Sequence, residues 1–73
     1  MNGDYFNVPE PLRQLNKGEY FTKKEIAYPK ESQVWIKGDY DRSSKKYECY
    51  RFSDINYIQY ISGDKVVYTD FIF

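Results

Sequence analysis

Seventy-three residues with eleven basic and eleven acidic side chains give one short chain of zero formal net charge. That length allows a single domain with one small core, burying only about 60% of its unfolded surface. With no histidine and one cysteine, the composition excludes an intramolecular disulfide, histidine-based nucleophilic catalysis and a Cys/His zinc site.

Stability must then come from dense aromatic packing or from self-association. Nine tyrosines, five phenylalanines and Trp35 supply the rings, each able to bury ~150–250 Å². No apolar run approaches the ~20 residues that span a bilayer. The start "MNGDYFNVPEPL" has neither the basic leader nor the apolar block of a secretory signal. Together with the lone Cys49 this predicts a cytoplasmic protein that does not engage a membrane.

In chain order, residues 1–11 carry Gly3, Pro9 and Pro11 without periodicity and read as an irregular arm, packed down through Tyr5 and Phe6. "PLRQLNKG" places Leu12 and Leu15 three apart, behind Pro11 and ahead of Gly18. This predicts one short helical turn whose leucines cover an end of the core, with Gly18 as the stop. "EYFTKKEI" (19–26) reads as the first strand, and "AYPKES" as a loop marked by Pro29.

"QVWIKGDYD" (33–41) alternates Val34, Ile36 and Tyr40 on one face with Trp35, Lys37, Asp39 and Asp41 on the other. "RSSK" turns the chain and "KYECYRFSD" brings it back. "INYIQYI" and "KVVYTDFIF" then read as a second hairpin around "SGDK". There Gly63-Asp64 suits a type II′ corner. Phe73 ends that last strand and is expected to be anchored. The whole is an all-β domain spanning residues 1–73, expected as a small five-stranded antiparallel meander of SH3-like barrel type with one N-terminal helical turn. An open antiparallel sheet that dimerises through its exposed face is the second expectation.

Two registers compete in the first hairpin. A two-residue Ser43-Ser44 loop opposes Tyr40 to Tyr47 but also Asp39 to Glu48, a like-charge pair. A shift by one opposes Ile36 to Tyr50 and sets Trp35 beside Arg51, within reach of a cation–π contact. Ser-Ser supplies no residue suited to a primed turn. The second register is therefore favoured, with a longer loop or a bulge near Gly38.

The chemistry-bearing residues are few. Cys49 is flanked by Lys46 and Arg51 but reads as a small buried apolar residue of a strand. Asp39 and Asp41 share a face, yet "DYDRSS" lacks the further ligands and the glycine of a calcium loop. Asp54 and Asn56 suit an Asx turn. No phosphate-binding glycine motif is present. These residues predict a non-enzymatic chain with no cofactor and no metal.

Trp35, Lys37, Arg42, Lys46, Tyr50 and Arg51 gather basic and aromatic side chains in one hairpin, and Tyr57 follows it. Two functions compete for them. A single-stranded nucleic-acid binder would stack bases on the rings and pair phosphates with the cations. Asp39, Asp41 and Glu48 oppose this, as does the zero net charge. A protein-interaction or accessory module needs no net charge and accounts for aromatics that outnumber the places in so small a core. It is preferred, with a protein partner or a second copy as the ligand.

The pattern Leu12-x-x-Leu15-x-x-Gly18-x-x-Phe21, then Val34-x-Ile36-Lys37-Gly38-x-Tyr40-x-Arg42 and Lys46-Tyr47, carries a resemblance. It resembles small uncharacterised bacterial proteins, some carried by phages and mobile elements, that open in this way and continue as short β-strands. The resemblance spans 12–73 and implies an accessory protein of a bacterial or phage cytoplasm. It transfers no activity and no functional residue.

Overall fold

Alternating apolar residues bounded by turn formers give short strands, and every strand pairing is antiparallel. The computed structural model describes residues 8–71. They form an all-β arrangement of two sheets with two 3₁₀ turns, and no closed barrel. β1 (Val8–Pro11) and β6 (Val66–Thr69) make a two-stranded ribbon. β2 (Tyr20–Phe21), β3 (Trp35–Asp41), β4 (Lys46–Arg51) and β5 (Asp54–Ile61) make a four-stranded sheet in that order. Thr22 joins the two, exchanging both backbone hydrogen bonds with Tyr68 at 2.9 and 3.0 Å.

Several sequence expectations need correction. The arm over 1–11 is strand from Val8 onward, and its first seven residues, Tyr5 and Phe6 included, lie outside the described range, as does Phe73. Proline is tolerated in β1 because Pro9 faces Tyr68, whose N–H and C=O are turned toward Thr22. The missing N–H of Pro9 therefore falls on the outer edge of the ribbon, where no ladder bond is lost.

The first strand is not 19–26 but Tyr20–Phe21 alone. Thr22 leaves β3 for β6, and its hydroxyl donates to the Lys24 carbonyl at 2.7 Å, bending the chain out of the sheet. The second hairpin does not form either. β5 pairs with β4 and β6 with β1. The 62–65 turn is held instead by the first 3₁₀ turn (Leu12–Gln14), through Leu12 N–H to the Lys65 carbonyl and Arg13 N–H to the Gly63 carbonyl. Gly63 serves close packing, since a Cβ there would meet the Tyr47 ring at 2.9 Å.

The β3–β4 hairpin uses both candidate registers. Trp35, Ile36 and Lys37 face Arg51, Tyr50 and Cys49, as the favoured register predicts, whereas Tyr40 faces Tyr47 and Asp41 faces Lys46. A bulge between Lys37 and Tyr40 converts one into the other. It moves Tyr40 onto the face of Trp35 and Lys37, against the plain alternation read from the sequence. Gly38 allows this, because a Cβ there would lie 2.5 Å from the Glu48 carbonyl oxygen. The turn is a four-residue loop in which Lys45 takes φ 60° and the Asp41 carboxylate accepts from the Ser44 N–H and hydroxyl.

One face of the four-stranded sheet meets the core. Leu12, Leu15, Phe21, Trp35, Cys49, Ile61 and Val67 form the buried cluster, with Tyr47 packed against it. Both leucines thus cover the core as their spacing predicts, and Gly18 ends that segment at φ 93°. Each fully buried large apolar side chain contributes about 1.5–3 kcal/mol relative to exposure.

Candidate functional site

Cross-strand pairing decides which residues share a face, because directly opposed residues of an antiparallel sheet point the same way. The inner face carries the rows Phe21–Trp35–Arg51 and Lys37–Cys49–Gln59. The outer face carries Tyr20–Ile36–Tyr50–Ile58, a row that crosses all four strands, with Glu48–Tyr60 beside it. The seven sequence candidates do not gather at one site. Trp35, Lys37, Arg51 and Tyr57 belong to the inner side, Tyr50 to the outer, and Arg42 and Lys46 lie at the far, turn end of the hairpin.

Trp35 is only 4% exposed and sits in the core cluster, so it offers no ring face for stacking. Its ring meets Tyr57 edge-on with centroids 5.9 Å apart. The Lys23 ammonium lies 4.1 Å from its centroid and the Arg51 guanidinium 5.3 Å, as the sequence anticipated for Arg51. Arg51 also covers Tyr57 at 4.1 Å. Lys37 is buried as well: its ammonium donates to the Leu15 carbonyl and, at 3.3 Å, to that of Arg13, and it lies 4.2 Å over the Tyr47 ring. Burial lowers its pKa. It ties the first 3₁₀ turn to β3, with its ammonium turned inward.

Beside Trp35 opens a cleft of about 280 Å³ lined by Lys23, Lys24, Ile26, Gln33, Trp35 and Arg51. Lys23 also donates to the Gln59 side-chain carbonyl. Burial first, then repulsion from Lys65 and Arg51, lower the Lys23 pKa. The buried Arg51 Nε–H has no hydrogen-bond partner among the described residues. Sequence reasoning missed Lys23 and Lys24 because a strand over 19–26 would send adjacent lysines to opposite faces. The bend after Thr22 brings both to one cleft.

A second feature is the free edge of the sheet. β2 is flanked by β6 through Thr22, whereas β5 has no neighbour beyond β4 among the described residues. Ile55, Tyr57, Ile58 and Tyr60 are all exposed. At its start Asp54 caps the Asn56 N–H at 3.1 Å, the expected Asx turn. A register shift between Tyr50 and Arg51 distorts that end. The regular ladder is therefore Ile58–Ile61, without charge, proline or glycine.

The remaining candidates have local partners. Burial pushes the Cys49 thiol up to about 11, which keeps it protonated at neutral pH. Asp39 pairs with Lys17 at 2.8 Å, and Asp41 caps Ser44. Among the described residues no group of three or more Asp, Glu or Cys side chains is arranged to hold a metal ion, and no helix is long and apolar enough to cross a membrane. No family model, curated protein or solved structure matches the chain.

Proposed function

We propose that this chain is a small non-enzymatic interaction module of the cytoplasm that pairs with a second copy of itself through the open edge of β5. The observation that carries this reading is the uncharged stretch Ile58–Ile61 lying on an edge with no neighbour among the described residues. Soluble proteins usually guard such edges with lysine, proline or a covering loop. Here, among the described residues, the guard is the distortion near Asp54.

The direction of the free backbone groups supports the pairing. Lys37 donates to the Glu19 carbonyl and accepts from the Gly18 N–H, so its polar groups face away from β4. Alternation along an antiparallel ladder then turns those of Cys49 toward β5, and those of Ile58 and Tyr60 outward to the open edge. An antiparallel twofold centred on Gln59 uses all four outward groups. It opposes Ile58 to the partner's Tyr60, with Gln59 against itself. Aromatic–β-branched pairs are among the favourable cross-strand pairs, and no like charges meet. A closed isologous dimer follows from such a twofold.

The alternative reading, a single-stranded nucleic-acid binder, draws on Lys23, Lys24 and Arg51. Of the rings it would stack bases on, Trp35 is buried, and Tyr57 is covered on one face by Arg51.

Sedimentation velocity over a concentration series tests the proposal. The expected outcome is a reversible monomer–dimer equilibrium that Ile58→Lys shifts to monomer, with unfolding free energy changed by less than about 0.5 kcal/mol. Tyr20→Lys, at the opposite end of the outer row, should leave the dimer intact. A parent chain that stays monomeric at all concentrations, or a dimer indifferent to Ile58→Lys, overturns the edge pairing.

A further inference from the structure

We propose that the cleft beside Trp35 is a binding site for a phosphate monoester, held by Lys23, Lys24 and Arg51. Three cationic side chains line it and no carboxylate does. None of the three has an ion pair among the described residues, where the ion pairs are Arg13–Asp64 and Lys17–Asp39. A second cleft, of about 200 Å³, is lined by Arg13, Lys45 and Asp64 among others, and Asp64 already pairs with Arg13. It carries its own counter-ion, and the Trp35 cleft does not.

Cations that crowd one another without a carboxylate are held at an electrostatic cost, which an incoming anion relieves. Lys23 and Arg51 are fixed on the Trp35 and Tyr57 rings, so little side-chain entropy is lost when they take a ligand. The Arg51 Nε–H is itself buried without an acceptor, so the donors offered to a ligand are the terminal guanidinium N–H groups. A monoester dianion matches this set better than a carboxylate does. It brings two negative charges toward three positive ones, and its three terminal oxygens accept from donors converging along different directions. The volume exceeds that of the phosphate group alone, and Ile26 and Gln33 line the remaining space for the esterified part. No β5 residue lines the cleft, although Tyr57 and Gln59 of that strand contact Arg51 and Lys23, so Lys24→Gln and Ile58→Lys test the two proposals separately.

The test is a titration followed by ¹H–¹⁵N spectra that include the Arg51 Nε–H and the Trp35 indole N–H, with phenyl phosphate as the probe. The expected result is a saturable shift of both signals with a dissociation constant of about 1 mM or tighter. Lys24→Gln, at an exposed position, should weaken binding about tenfold, the loss of one charge-assisted hydrogen bond. Dimethyl phosphate and acetate, each a monoanion, should bind at least about tenfold more weakly by the same measure.

A serine-phosphorylated peptide compared with free O-phosphoserine separates the sources. Tighter peptide binding assigns the site to a phosphorylated side chain, and equal binding assigns it to a free phosphorylated small molecule. The proposal is overturned by the absence of a saturable shift, by equal response to phenyl phosphate and acetate, by affinity unchanged in Lys24→Gln, or by a diester oligonucleotide binding more tightly than the monoester.

Discussion

Trp35 and Ile36 are neighbours in β3 and have opposite surroundings. Trp35 faces the core with Phe21 and Arg51 in its row, while Ile36 faces outward between Tyr20 and Tyr50. The inner face turns its aromatic residues into stability and into a support for cations. The outer face leaves its large side chains half-covered, with Tyr20, Ile58 and Tyr60 exposed. Similar residue types therefore do different work depending on which side of the pleat they fall. In this protein a single bulge at Gly38 changes that side for the end of the strand.

Three substitutions test this division, in order of expected effect. Trp35→Ala should cost about 3–5 kcal/mol, a large part of the stability of a small domain, whereas Tyr60→Ala on the outer face should stay within about 0.5 kcal/mol. Urea unfolding of both measures the contrast, and equal losses would erase the distinction between the faces. Gly38→Ala comes next. Its Cβ would meet the Glu48 carbonyl oxygen at 2.5 Å, and relief by backbone movement should cost about 1–3 kcal/mol. Calorimetry that shows no loss would mean the bulge has another origin.

The smallest effect is a pH dependence. Folding raises the Cys49 pKa from 9.0 to about 11 through burial. The stability tied to the protonated thiol is fully present below pH 9 and is lost as pH rises toward 11. Lys23 and Lys37, both lowered mainly by burial, act in the opposite sense, regaining stability as pH climbs toward their unfolded value of 10.5. Cys49→Ala removes the first contribution alone. Its unfolding free energy should fall less over that alkaline window than the parent's, and identical slopes would place the thiol in contact with solvent.

Much of the fold was legible locally. The strands around Trp35–Asp41 and Lys46–Arg51, the leucine turn, the glycine stop at Gly18 and the Asx turn at Asp54 all follow from spacing and turn chemistry. The swapped partnership of β5 and β6 did not. A "SGDK" turn between two alternating runs is the ordinary signature of a hairpin, and only the hydrogen bonds of Leu12 and Arg13 to that turn show why the runs part. The candidate sites were legible in composition but not in placement. Arg51 and Tyr57 were singled out by the sequence and lie together at Trp35, whereas Lys23, Lys24 and the outward row of Tyr20, Ile36 and Ile58 depended on one bend and on the register.

By itself the sequence determined the class of the fold, the absence of histidine and disulfide chemistry and the excess of rings over core places, because composition, alternation and turn residues act within a few positions. The tertiary structure decided the rest. It buried Trp35 and Lys37, opened one edge of the sheet, and gathered three cations beside a tryptophan. Those outcomes depend on pairing between distant segments, and a change of one residue in register reverses every face.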